Sequence, residues 1–353
     1  MYVLQARNVH DALPQALRLL QRIGVARDSR NGPVAAVADA PVTTVYERPT
    51  ERVLFWPDRD ANPYFHFYES LWMLGGRNDV APLVDIVKRY ASFSDDGKTQ
   101  HAAYGHRWRR HFHDWSSDGA EGAPRDQLHV IIERLHRDPN DRRCVLGMWD
   151  PEVDLDRVGV DVPCNVTATV QLSMAGQLDL TVFCRSNDII WGCYGANAVH
   201  FSVLQEYLAR ALGVEVGKYW QVSINWHGYR ETFEPLLQRS VDWLVYNPYT
   251  SGKVEPYPLM RIMAHHWDEE LSWWLLNPTS ARTFLDPFFP QVAVPIMRSH
   301  KAFKSYRGME RFVAAEAELA SCRATDWRLA CTEWLRRRQV KYLREMDDGP
   351  SAE

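Results

Sequence analysis

An α+β fold is predicted by three features of the sequence. Residues 166–172 and 178–184 alternate apolar with polar side chains on either side of Gly176, the pattern of a half-buried hairpin. Residues 198–212 then repeat apolar side chains at helical spacing. Strands and helices are interspersed throughout, without the regular βαβ alternation that builds a doubly wound sheet.

The elements follow in order. Residues 1–60 mix short apolar runs with Pro, Asp and Arg, and 27–33 read as a loop. Pro63 opens a helix bearing Phe65, Tyr68, Glu69, Trp72 and Met73, which Gly75-Gly76 stops. The Ser/Asp/Gly-rich residues 92–97 form a loop. In the hairpin Val166, Ala168, Val170 and Leu172 take the buried face, between Thr167, Thr169 and Gln171. Val199, Val203, Leu204 and Leu208 mark the next helix, Gly213 caps it, and residues 214–224 make a further strand. From 308 to 346, Phe312, Leu319, Trp327 and Trp334 suit two or more amphipathic helices with Arg-rich polar faces. Arg336-Arg337-Arg338 reads as a solvated helix end, and 347–353 as a disordered tail.

Composition narrows the function. The 353 residues are 46% hydrophobic and 24% charged, with a net charge of −4, which fits a soluble globular protein and argues against one built to hold nucleic acid. The start has no secretory pattern and no window approaches the ~20 apolar residues that cross a bilayer. The six cysteines show no disulfide or C-x-x-C framework. A soluble, cytoplasmic protein with reduced thiols and no membrane contact is expected.

Several residues could carry chemistry. Cys164, in Asp161-Val162-Pro163-Cys164-Asn165, stands at the entrance of the first hairpin strand. A cysteine there is commonly a small buried hydrophobe, or else a nucleophile. Arg185 and Ser186, at the end of the return strand, could hold an anion close to that thiol and favour its thiolate. Arg142-Arg143 are either exposed charges or planar clamps for a dianion. His106, His111 and His113, or His265-His266, lack carboxylate or Cys partners at ligand spacing, so no metal is expected. No Gly-rich dinucleotide or phosphate loop occurs.

The order and approximate spacing of six motifs resemble the thymidylate synthase family. They are Glu69-Ser70-Leu71-Trp72; Tyr104-Gly105-His106-Arg107-Trp108; Asp138-Pro139-Asn140-Asp141-Arg142-Arg143 followed by Trp149; Pro163-Cys164; Arg185-Ser186-Asn187-Asp188; and His227-Gly228-Tyr229. The resemblance covers roughly residues 27–230 and implies a twisted mixed sheet with surrounding helices. It divides the chain into a catalytic domain at 1–297, a C-terminal helical extension at 298–346 and the tail at 347–353.

The resemblance also implies a homodimer acting on a pyrimidine nucleoside monophosphate with 5,10-methylenetetrahydrofolate. Cys164 would add to C6 and make C5 enolate-like, so that C5 attacks the one-carbon unit. Glu69 would organise proton transfers through water, and Tyr104 would assist proton removal at C5. Arg185, Ser186 and Arg30 would bind the nucleotide phosphate, with Arg142 and Arg143 reaching in from the partner subunit. His227 and Tyr229 would bond the sugar 3′-hydroxyl. Asp188, Trp72 and Tyr90 would serve the folate.

Departures from the family pattern bear on the product. Asn165 follows the nucleophile where the family has His, Tyr90 and Phe93 replace two Trp, and the apolar C-terminus that closes the site is not evident. Each alters the shell that keeps water from the exocyclic methylene intermediate. Water attack would give a hydroxymethyl product, as in the family's pyrimidine nucleotide hydroxymethylases, and this is favoured over methylation. Asn197, set near the base-reading position by a small insertion after Gly192, points to uracil and hence dUMP. The insertion and nearby His200 leave cytosine nucleotides open. A catalytically inactive RNA-binding relative using the Arg-rich C-terminal helices is the alternative, opposed by the retention of Cys164, Glu69 and the phosphate arginines.

Overall fold

The computed structural model describes residues 1–29, 32–114, 122–239 and 246–347. The chain forms two compact units, one from Met1–Arg52 with His66–Val245, the other from Val53–Phe65 with Tyr246–Glu353. Among the described residues no helix is long and apolar enough to cross a membrane.

An eight-stranded mixed sheet organises the first unit. Its strands are β1 (Tyr2–Ala6), β2 (Val25–Ser29), β3 (Gly32–Val37), β4 (Val42–Tyr46), β5 (Val145–Gly147), β6 (Asn165–Leu172), β7 (Leu178–Asp188) and β8 (Val216–Tyr229). The main order is β1-β4-β8-β7-β6-β5, and β3 joins β8 to β2. The expected hairpin is β6 and β7, antiparallel, turned at Gly176, whose φ of 74° needs the left-handed freedom of glycine. β7 and β8 run parallel, so their carboxyl ends lie side by side.

The helices are α1 (Val9–Ile23), α2 (Pro63–Leu74), α3 (Gln127–Arg137) and α4 (Asn197–Leu212), followed in the second unit by α5 (Ala264–Leu276), α6 (Val294–Ser305), α7 (Glu310–Leu319) and α8 (Thr325–Asp347). α4 is the crossover between β7 and β8, and it is buried all round from Asn197 to Ala209. Its polar residues are matched inside: Gln205 Nε2 donates to the carbonyls of Leu178 and Lys218, at 2.8 and 3.0 Å, and Glu206 pairs with buried Arg52. Leu178, Leu180, Val182 and Cys184 of β7 are fully buried on one face of the sheet, while Thr181, Phe183 and Arg185 lie on the other.

One expectation is corrected. Residues 27–33 were expected to be a loop, but Arg27, Asp28 and Ser29 pair with Val34, Pro33 and Gly32 as the hairpin β2–β3. The cause is long-range: β3 is also held by the end of β8, through Tyr229↔Val34 and His227↔Val37. The division expected at 297/298 falls inside α6, whereas the second compact unit also takes up Tyr246 onward and the early segment Val53–Phe65. Residues 348–353 of the expected tail lie outside the described residues.

In the second unit, Trp267, Leu271, Trp274 and Leu275 of α5 make a buried apolar face. Glu270 beside them accepts the backbone N–H groups of Leu285 and Asp286, at 2.6 and 2.9 Å. The basic run on α8 is partly neutralised. Arg337 Nε lies 2.9 Å from Asp60 Oδ1 and Arg338 Nη2 2.7 Å from Oδ2, and Arg338 also covers the Trp334 ring.

Candidate active site

Strand register brings the chemistry to one edge of the sheet. β6 begins at Asn165 opposite Cys184, so Cys164 enters the sheet where β7 is ending. Across the parallel pair, Ser186, Asn187 and Asp188 stand beside Asn225, Trp226 and His227. The carboxyl ends of parallel strands are where ligands bind in open sheets, because the loops diverge there and leave a crevice.

Cys164 is partly exposed, and its loop is held from two sides. The Arg185 backbone N–H donates to the Cys164 carbonyl at 2.8 Å, and Arg185 Nε donates to the Pro163 carbonyl at 2.8 Å. The guanidinium also lies over the Trp149 ring, 5.5 Å from its centroid. On the other side, the Tyr104 hydroxyl accepts the N–H groups of Cys164 and Asn165, both at 3.3 Å. Tyr104 can come this close because Gly105 rests on the end of α2: a Cβ there would sit 1.7 Å from the Met73 carbonyl oxygen. Desolvation, followed by the neighbouring Cys164, raises the Tyr104 phenol above its ordinary pKa. Asp161 ties the same loop down by accepting the N–H groups of His101 and Ala102, at 2.6 and 2.9 Å, and its burial raises its own pKa.

Two clefts meet at this loop and share Val162 in their walls. One, of about 490 Å³, is lined by Arg185, Ser186, His227 and Tyr229, and by Trp149 and Asn225. His227 and Tyr229 pack edge to face at 5.0 Å, and the His227 Nδ1 lies 3.1 Å from the Asn225 carbonyl. The other, of about 240 Å³, is lined by Glu69, Tyr90, Phe93, Tyr104, Asn197 and His200. There the Tyr90 hydroxyl donates to Glu69 Oε1 at 3.1 Å, and Phe93 packs edge to face on Tyr90 at 6.0 Å. Burial, then the Glu69 charge, raises the Tyr90 phenol well above its usual pKa.

A chain of buried amides runs beneath the floor. Asn165 Nδ2 donates to Asn197 Oδ1 at 3.1 Å, Asn197 Nδ2 to Asn187 Oδ1 at 3.1 Å, and Asn187 Nδ2 to Ser223 Oγ at 3.0 Å. Each bond uses one of two hydrogens or lone pairs, so Asn197 keeps a donor and an acceptor while its orientation is fixed.

Of the sequence-predicted residues, Glu69, Tyr104, Tyr90, Asn197, Arg185, Ser186, His227 and Tyr229 line these two clefts, and Cys164 stands two residues beyond Val162, which both share. Others stand elsewhere. Trp72 lines neither cleft; it is fully buried, and its indole N–H donates to Asp79. Asp188 caps the turn after β7 by accepting the Trp191 N–H at 2.6 Å. Arg142 and Arg143 are exposed just before β5, with Arg143 pinned by the Asp141 carboxylate, which it holds below the ordinary range. Arg30 lies outside the described residues. Asn225 was missed, although strand alternation puts it on one face with His227 and Tyr229. Arg157, also missed, lines the larger cleft and pairs with Asp95 at 2.9 Å.

Comparisons with known proteins identify the family. The family described as thymidylate synthase matches residues 59–242, which include Glu69, Cys164, Arg185 and Tyr229. A deoxyuridylate hydroxymethyltransferase of Pseudomonas phage M6 is 51% identical over the full length of both chains. One of Bacillus phage SP01 is 39% identical across 55% of this chain and 50% of its own. Another, of Delftia phage PhiW-14, is 28% identical across 50% and 48%. The family model covers about half of the chain and the Pseudomonas phage M6 relative matches its full length, so the chain belongs to the thymidylate synthase family.

Proposed function

We propose that this chain is a cytoplasmic deoxyuridylate hydroxymethyltransferase, which converts dUMP to 5-hydroxymethyl-dUMP. The reading is supported most by one feature: Arg185 clasps the Cys164 loop through two 2.8 Å bonds at the meeting point of the two clefts. It also matches the name of the Pseudomonas phage M6 relative, a deoxyuridylate hydroxymethyltransferase that is similar over its full length.

In this reading the larger cleft takes the nucleotide tail. Arg185 and Ser186 bind the phosphate, while His227 and Tyr229 bond the 3′-hydroxyl. Asn197 donates to O4 of uracil and accepts from N3–H. The Cys164 thiolate adds to C6 and shifts the ring's electron pair toward C5. Tyr104 removes the C5 proton, and Glu69 relays protons through water. Tyr90 and Phe93 form an aromatic wall that suits a flat heterocycle. Bound 5,10-methylenetetrahydrofolate supplies the one-carbon unit at the formaldehyde oxidation level.

A homodimer completes the site. The sheet face opposite α4 leaves Val145, Phe183 and Ile224 at 51%, 38% and 52% exposure, an apolar surface suited to a second copy. Arg142 and Arg143 precede β5, the strand that carries Val145, and would reach the partner's phosphate site.

Mass spectrometry of products from dUMP, dCMP, UMP and CMP with methylenetetrahydrofolate tests the reading. Hydroxymethyl-dUMP as the main product supports it; a methylated product, or turnover of a cytosine nucleotide instead, overturns it. Cys164→Ala should bind dUMP and lose all turnover. Arg185→Ala should weaken dUMP binding by about 1.5–3 kcal/mol, the value of a charge-assisted contact.

A further inference from the structure

His200 lies on α4 one turn beyond Asn197, on the same helix face, and lines the smaller cleft at 2% exposure. Its Nε2 is 2.9 Å from Glu69 Oε2, which is within ion-pair reach but outside hydrogen-bond alignment. Among the described residues neither ring nitrogen of His200 has a hydrogen-bond partner, and nor does Glu69 Oε2. Glu69 Oε1, by contrast, accepts from Tyr90. Buried polar atoms normally find partners. Two of them, His200 Nε2 and Glu69 Oε2, face each other in the wall of one cleft beside Asn197, and with His200 Nδ1 also unpaired they point to a small polar guest with both donors and acceptors.

We infer that His200, facing Glu69, holds the water that completes hydroxymethyl transfer and takes its proton. The inference rests on the functional reading above. In the covalent intermediate, C5 carries an exocyclic methylene conjugated with the C4 carbonyl, while Cys164 is bonded to C6. A water lone pair forms the C–O bond to the methylene carbon, and the methylene π pair moves to the C4 enolate. One water proton passes to the imidazole. The enolate then reforms the carbonyl and the C5=C6 bond, expelling the Cys164 thiolate, which takes the proton from the imidazolium. One water is consumed and the product carries CH2OH; the proton restored to Cys164 replaces the one its thiol gave up on forming the thiolate, and that proton and the C5 proton taken by Tyr104 would leave with tetrahydrofolate. An imidazole suits this step because its neutral form accepts a proton and its cation gives one back near neutral pH.

The test follows the fate of the intermediate in His200→Gln and His200→Phe, with four readouts. They are dUMP affinity, tritium release from C5-labelled dUMP with methylenetetrahydrofolate, hydroxymethyl-dUMP formed, and the adduct captured by added 2-mercaptoethanol. Both variants should keep dUMP affinity and tritium release within about threefold of the parent. Hydroxymethyl product per tritium released should fall at least tenfold in His200→Phe and less in His200→Gln, with the thiol adduct taking its place. An unchanged product-to-tritium ratio in both variants overturns the inference. So does a parallel loss of tritium release and product, which marks His200 as a packing residue. Should His200→Phe not fold, the product-to-tritium ratio of His200→Gln decides between the same outcomes. A parent enzyme that releases no tritium from dUMP overturns the functional reading itself, and this inference with it.

Discussion

At the scale of single residues, the orientation of Asn197 depends on a side chain that is missing. A Cβ on Gly192 would meet Asn187 Oδ1 at 2.7 Å and Asn197 Nδ2 at 3.4 Å, so glycine makes room for the bond between the two amides. Gly192→Ala should push Asn187 away and release Asn197 from its fixed orientation. The expected outcome is at least a tenfold narrowing of the preference for dUMP over dCMP, read as a ratio of kcat/KM values, with the fold intact by circular dichroism. Unchanged discrimination would mean that Asn197 is oriented by the nucleotide alone. The small insertion that made Asn197 hard to place from sequence lies in this turn. Its backbone departs from helical geometry at Tyr194 and Gly195, which absorb the extra residue and deliver Asn197 to the first turn of α4. The motif residues were legible because each carries a distinctive side chain at a fixed separation. The amide chain was not, since its four members come from β6, β7, β8 and α4 and meet only after the sheet has formed.

Elements bear on stability more than on chemistry. Gly105 has no room for a side chain against the Met73 carbonyl, and the displaced atom would be backbone rather than a movable side chain. Gly105→Ala should therefore destabilise by about 3 kcal/mol or more, in the range of overpacked sites, and lower turnover by shifting Tyr104; thermal melting and kcat together check it. α6 carries an acid-sensitive group. Burial, aided by Lys304, lowers the His300 pKa from the usual 6.5 to about 4. The folded state thus holds this imidazole neutral, while the unfolded chain takes up a proton below 6.5. Its contribution is fully present above pH 6.5 and is progressively lost as pH falls toward 4, amounting to ~3 kcal/mol. His300→Phe, which keeps a ring beside Tyr64, should flatten the fall in urea midpoint between pH 7 and 5; an equal fall in both proteins would reject the assignment. Periodic elements such as β6, β7 and α4 could be read directly from their spacing. α1 shows equally regular burial at Val9, Leu13, Leu17 and Leu20, yet Pro14 inside the helix and the surrounding mixed composition hid it. The hairpin β2–β3 has turn-like residues and becomes a strand pair only because β8 is there to receive it.

For the whole molecule, shared arginines make a prediction about mixtures. If Arg142 and Arg143 serve the partner's nucleotide, inactive Cys164→Ala and inactive Arg142→Ala/Arg143→Ala chains should recover activity when refolded together, because one site of the mixed pair then has every group. No recovery would place the arginines outside the site. The second unit has a different consequence. It draws Val53–Phe65 from early in the chain and joins it to Tyr246–Glu353, with Asp60 gripping two α8 arginines and Tyr64 bonding Ser299 at 2.8 Å. During synthesis those early residues, Phe55, Trp56 and Tyr64 among them, must wait until nearly the entire polypeptide has left the ribosome before their apolar surfaces are covered. The terminal helices are thus no removable ornament. A nonsense codon near residue 245 should yield not a smaller working enzyme but a sticky fragment that depends on chaperones.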